Sequence, residues 1–201
     1  MYCILVTGIP ASEKSTLADF LAERLKLPVI SKDRLKELMY DTIGFRSREE
    51  KVRLGTAAME IMYDMAERLM KCGLPFILEN NFENASKEGL MTLLGKYACP
   101  ALTITLTGDY ERIWQRFVER NHSPERHRGH VVNDCYPETE PGGKVPVLSY
   151  EDFVNGIVAR GMDRFTAGGP HIVLDATEPG RIDREELLKN LEDWRRKLTG
   201  D

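Results

Sequence analysis

The chain has 201 residues, 42% of them apolar, enough for one well-buried domain and too few for a second catalytic one. Its formal net charge is −4 with both signs mixed along its length, so charge gives no overall drive toward nucleic acid or an anionic membrane, and a nucleic-acid partner would need a local basic site. The chain enters its first strand without a basic leader, and no apolar run approaches the roughly 18 residues of a membrane span, which together read as a cytoplasmic protein.

In chain order, Tyr2 to Thr7 is an apolar, β-prone run, and Ser15 to Leu25 repeats apolar residues at Leu17, Ala18, Leu21, Ala22 and Leu25, the spacing of a helix. Pro28 to Ser31 is a short strand, followed by a helix from Asp33 to Met39. Ser47-Arg48-Glu49-Glu50 has capping-box form and opens a long amphipathic helix that ends near Gly73. Its apolar stripe is read at Leu54, Ala58, Ile61, Met65 and Leu69, and Met59, Met62, Met65 and Met70 as core filler. Pro75 to Leu78 is a buried strand emerging into Glu79-Asn80-Asn81, with a helix from about Ala85 to Tyr97. Ala101 to Leu106 is another strand and Asp109 to Arg120 another helix. Asn121 to Leu148, rich in proline and glycine, is one long irregular stretch of the kind that forms lids and binding loops. Ser149 caps a further helix, His171 to Asp175 is the last strand, and Asp183 to Leu198 the last helix. Cys3, Cys72, Cys99 and Cys135 lack metal-ligand spacing and read as reduced, mostly buried packing residues.

Between the first strand and helix lies Gly8-Ile9-Pro10-Ala11-Ser12-Glu13-Lys14-Ser15-Thr16. This is the phosphate-binding pattern G-x-x-x-x-G-K-[ST], except that Glu13 replaces the second glycine. Such loops converge backbone N–H groups and a helix N-terminus on a phosphate, with the lysine reaching the terminal phosphates and the serine hydroxyl holding Mg²⁺. A glutamate there has two costs. A left-handed backbone disfavours a side chain by roughly 1–2 kcal/mol. A carboxylate facing a phosphate oxygen adds about 4 kcal/mol of repulsion at 4 Å and an effective dielectric of about 20. Together these predict nucleotide binding weakened on the order of 10³- to 10⁴-fold, unless the side chain turns to solvent.

Alternating strands and helices predict an α/β fold: a P-loop NTPase three-layer sandwich, about five parallel strands with helices on both faces and a helical lid. Residues 1–201 are read as one domain, with the lid and loop region at about 112–148. Ligands of such sheets lie beyond the carboxyl ends of the strands. Four features gather there: the loop, Ser31-Lys32-Asp33-Arg34, Glu79-Asn80-Asn81, and the arginines from Arg112 to Arg128. Asp33 can accept a proton from an attacking hydroxyl, or simply favour a helix N-terminus. Glu79 can orient Mg²⁺ through water, or form a salt bridge at the sheet edge. Arg112, Arg116 and Arg120 recur every four residues, which is read as one helix face turned to the phosphates. His127 and His130 are read as lid residues, since no third metal ligand accompanies them.

Gly8-Ile9-Pro10-Ala11-Ser12-x-Lys14-Ser15-Thr16, Ser31-Lys32-Asp33, Glu79-Asn80-Asn81-Phe82, Arg116-x-x-x-Arg120 and Arg126-His127-x-Gly129-His130 form an ordered set. In it the chain resembles the small P-loop kinases of the zeta-toxin, chloramphenicol phosphotransferase and polynucleotide-kinase-like group, also described as AAA-type ATP-binding kinases, over most of residues 1–130. The resemblance implies that ATP and Mg²⁺ are bound by Gly8, Pro10, Ala11, Ser12, Glu13, Lys14, Ser15 and Thr16, with Ser15 and Glu79 toward the metal. It implies Asp33 as general base, Lys14 on the ATP phosphates, and Arg116, Arg120 and Arg126 as the lid that closes on them. The partners it implies are a nucleoside triphosphate and a hydroxyl acceptor, small or nucleotide-like. The departure at Glu13 keeps two other readings open: a catalytically silent pseudokinase, and an NTPase without a phosphoacceptor.

Overall fold

The structure, a computed structural model, describes residues 1–139 and 145–200, so part of the irregular stretch, 140–144, lies outside the described residues. Five parallel strands form one sheet in the order β2-β3-β1-β4-β5: β1 (Cys3–Gly8), β2 (Val29–Ser31), β3 (Phe76–Glu79), β4 (Ala101–Thr107) and β5 (His171–Asp175). The helices are α1 (Lys14–Leu25), α2 (Lys32–Thr42), α3 (Arg48–Lys71), α4 (Asn84–Lys96), α5 (Tyr110–His122), α6 (Arg128–Val131), α7 (Tyr150–Arg160) and α8 (Arg184–Thr199). No helix among the described residues is long and apolar enough to cross a membrane.

Alternation along the strands divides the core into two layers, since successive side chains of a strand point to opposite faces. Ile4, Val6, Ile77, Ile104 and Leu106 pack on one face against Leu17, Ala18 and Leu21 of α1 and Leu187, Leu188 and Leu191 of α8. Cys3, Leu5, Phe76 and Leu78 pack on the other against Met62, Ala66 and Met70 of α3 and Leu90 and Leu94 of α4. The α3 stripe differs from the expected one. Ala58, Met62, Ala66 and Met70 are buried, four residues apart, whereas Ile61 and Met65 are about two-fifths exposed. Packing against the sheet favours the row whose alanines admit close approach. The cysteines also divide: Cys3 and Cys99 are buried, Cys72 is exposed and Cys135 lies between.

Strand order places β1 in the middle of the sheet, its connection to β2 running one way and that of β4 to β5 the other. That reversal at the carboxyl ends of β1 and β4 opens the crevice in which such sheets receive ligands. Gly8 is fixed by backbone approach: its φ is +134°, and a Cβ there would lie 2.0 Å from the Leu106 carbonyl oxygen.

Candidate active site

A cleft of about 930 Å³ opens above β1, β2 and β3. It is lined by the loop from Pro10 to Thr16, by Asp33, Lys36 and Glu37 of α2, by Glu79 and Asn81 after β3, and by Arg120, Arg126 and His130 from the α5–α6 region.

After Gly8 the loop turns left-handed at two residues that are not glycine. Ala11 has φ +59° and Glu13 has φ +65°, ψ +30°, so the conformation that glycine ordinarily supplies is kept here despite the side chains. The Glu13 carboxylate accepts a hydrogen bond from the Thr16 hydroxyl at 2.8 Å, lines the cleft, and its charge acts on Arg120. It is therefore turned neither fully to solvent nor into an ion pair. Lys14, opening α1, is 7% exposed, and its ammonium donates to the Ile9 carbonyl oxygen at 2.6 Å. Burial pushes Lys14 down to about 8 against the pull of Glu79 and Asp33, and the nearby charges of Arg120 and Arg126 push the same way.

Asp33 stands in the first turn of α2, where Ser31 caps the helix by accepting from the Arg34 N–H. Burial alone would raise its carboxyl, yet Lys36, His130, Arg126 and Lys14 together hold it well below the ordinary range. The Lys36 ammonium lies 3.4 Å from its Oδ1, a partner the sequence reading passed over although it sits one helical turn on. Glu79 ends β3 with its side chain buried; the Ser31 hydroxyl donates to its Oε2. Burial raises this carboxyl, while Lys14 and the Ser31 bond act to lower it.

The arginines separate. Arg112 pairs with Glu178 at the surface. Arg116 donates from Nε to the Ala11 carbonyl at 2.8 Å, and from its two terminal nitrogens to Ala176 at 2.8 Å and Thr177 at 3.3 Å, joining the loop to the end of β5. Arg120 and Arg126 line the cleft, and the Nε of each is buried without a hydrogen-bond partner among the described residues. Burial lowers Arg120 to about 10, and Arg126 acts in the same direction.

The segment after α5 is strapped onto α2 and α3. His130 is paired to Glu37 and His127 to Asp41, each at 3.0 Å, and Tyr136 donates to Asp41 at 2.9 Å. Lys51 of α3 donates to the carbonyls of His130 and Val132. Gly129 permits the contact: a Cβ there would meet the Tyr40 ring at 2.4 Å. The two histidines are thus held by carboxylates of α2, and among the described residues no group of three His, Cys, Asp or Glu side chains is arranged for a metal.

The chain belongs to the AAA domain family, whose match spans residues 3–135. It is similar to a solved candidate kinase from Chloroflexus aurantiacus j-10-fl, with 27% identity, a TM-score of 0.78, and coverage of 96% of this chain and 97% of that one. A gluconokinase from Sinorhizobium meliloti 1021 shares the fold at 14% identity and TM-score 0.56, covering 98% of this chain and 95% of that one. So does a shikimate kinase from Bacteroides thetaiotaomicron, at 14% identity and TM-score 0.56, covering 97% and 98%. No curated protein matches. The fold is that of the P-loop kinases.

Proposed function

We propose that this chain is an ATP-dependent phosphotransferase acting on a hydroxyl of a small molecule, with its affinity for nucleotide lowered by Glu13. The observation that carries the reading is the pair of buried guanidinium Nε groups, on Arg120 and Arg126, left without partners in a cleft whose other wall is the loop. An unpaired buried donor is costly, and a phosphate oxygen is an acceptor of the right charge for both. Kinase names among the proteins of like fold agree with it.

In this reading the α1 N-terminus, the loop and Lys14 hold the β- and γ-phosphates, and Arg120 and Arg126 meet charge on the transferring group. Arg116, its donors engaged by backbone carbonyls, positions the loop. The acceptor oxygen bonds to the γ-phosphorus as the bond from phosphorus to the ADP oxygen breaks, and the hydroxyl proton passes to Asp33. A carboxyl so strongly lowered is a weak base that orients the hydroxyl and takes its proton late. The exposed Ser15 and the buried Glu79 carboxylate are hard oxygen donors that would hold Mg²⁺. When bound, the ion supplies further neutralisation of the phosphate oxygens.

An acceptor screen that follows ADP release tests the reading. The expected outcome is ADP production that depends on a hydroxyl compound and is lost in Asp33→Asn; turnover indifferent to every acceptor would favour a simple NTPase. Glu13 in the cleft favours a second reading, a silent binding protein, which predicts no turnover by this chain with any acceptor at any ATP concentration.

A further inference from the structure

One flank of α2 carries a ladder of carboxylates. Asp33, Glu37 and Asp41 recur every four residues, so they climb the helix in steps of about 6 Å. Asp33 lines the cleft, and the two rungs beyond it hold the segment that follows α5. Glu37 Oε1 lies 3.0 Å from His130 Nε2 and Asp41 Oδ1 lies 3.0 Å from His127 Nε2, while the Tyr136 hydroxyl donates to the same Asp41 oxygen.

Both histidines act as donors. His127 Nδ1 accepts from the Gly129 N–H at 3.0 Å, which places the ring proton on Nε2, toward Asp41. The His130 side chain is only 5% exposed. Burial lowers its pKa although the bond to Glu37 acts to raise it, so near neutral pH the uncharged ring gives its Nε2 proton to the carboxylate. The Tyr40 ring, fully buried on α2, packs edge-on to His130 with centroids 5.7 Å apart. Removing a buried acceptor costs more than removing a solvated one, and Glu37 is 21% exposed where Asp41 is 57% exposed. The Glu37 rung is therefore the stronger.

Arg126 stands next to both anchors in the chain, one residue before His127 and four before His130. Its N–H donates to the Ser123 carbonyl, and its buried Nε has no partner among the described residues. A guanidinium not fixed at Nε is placed largely by its backbone, and that backbone is tied to α2 through the two histidines.

We infer that Glu37 and Asp41 are positioning residues for Arg126: through His130 and His127 they hold it at a fixed offset from Asp33, so that one helix sets the spacing between the base and the cation on the transferring phosphoryl group. The inference rests on the phosphotransferase reading for what Arg126 does, but not for the attachment of its segment to α2.

Two readouts on the full-length chain test it. Hydrogen exchange of the backbone amides of residues 125–136 is expected to speed up about tenfold or more in Glu37→Ala and by a smaller factor in Asp41→Ala. Glu37→Gln, whose amide oxygen accepts the same proton, should stay within about twofold of the parent. ADP release from saturating Mg-ATP, with water as acceptor, should slow about 10- to 10²-fold in Glu37→Ala, with the KM for ATP changed less than about threefold. In an Arg126→Met background the same change should slow it less than about twofold further, because the group being positioned is gone. Asp41→Ala, at an exposed side chain, carries the same comparison if Glu37→Ala does not fold. Exchange unchanged in the alanine variants overturns the attachment. Faster exchange with the full slowing still added in Arg126→Met overturns the positioning role, since a merely structural loss multiplies. A parent that releases no ADP overturns the phosphotransferase reading and the positioning role with it, and exchange then judges the attachment alone.

Discussion

The two halves of the cleft are made differently. The half proposed for phosphate is mostly backbone: left-handed turns at Ala11 and Glu13, a helix N-terminus at Lys14, and a carbonyl clamp from Arg116. The half proposed for the acceptor is mostly side chains, drawn from α2 and the segment after α5, held by hydrogen bonds such as that between His130 and Glu37. Backbone geometry tolerates few sequences, so the first half carries a motif. Side-chain geometry can be met in many ways, so the second half carries none.

The difference predicts distinct failures. Asp33→Asn, at the junction, should lower kcat about 10²- to 10⁴-fold while leaving the dissociation constant of ATP within a few-fold, as measured by single-turnover kinetics and titration. A parallel loss of ATP binding would place Asp33 in the phosphate half. Lys14→Met should weaken ATP binding roughly 10²- to 10³-fold with little effect on the acceptor half, read by titration of each ligand separately. Lys14 also sets a pH dependence. Burial holds it at about 8, so its cationic form, proposed to hold phosphate, is lost as pH rises through that value. Affinity for ATP should therefore fall by up to about tenfold per unit above pH 8, and Lys14→Arg should remove that limb. A profile flat to pH 10 would mean the lysine is not the phosphate ligand. Asp33, held low, should contribute no acid limb near neutrality. The smallest effect is expected for Arg116→Met: about a tenfold rise in the KM for ATP, a lower melting temperature and an unchanged KM for the acceptor. A fall in kcat alone would instead put Arg116 on the transferring phosphoryl group.

The sequence was most readable where one residue type is demanded by backbone. Gly8 must lack a side chain, and Lys14-Ser15 must open a helix straight after a strand, so fold and loop follow from a few positions. The arginine series shows where periodicity misleads. Steps of four advance about 40° beyond a full turn, so Arg112 and Arg120 lie about 80° apart around α5. They meet Glu178 and the cleft respectively, with Arg116 between them on backbone carbonyls. The partners of His127 and His130 lie on α2, at Asp41 and Glu37, and no local spacing reveals a pairing made by the packing of distant segments. Lys36 beside Asp33, by contrast, was within reach of the helical three-residue rule.

In the proposed reading, activity turns on Glu13, whose costs are a backbone conformation and a charge. Glu13 holds a left-handed conformation, at φ +65°, a backbone cost that glycine would not carry. Glu13→Gly should thus add about 1 kcal/mol of stability. What remains for binding is the carboxylate, tempered by its bond from Thr16 and by Arg120. Calorimetric titration of Mg-ATP into the chain and into Glu13→Gly tests this most directly. The expected result is weak binding to the first and an affinity roughly 10²- to 10³-fold higher in the second. Equal affinity in the two forms would contradict it.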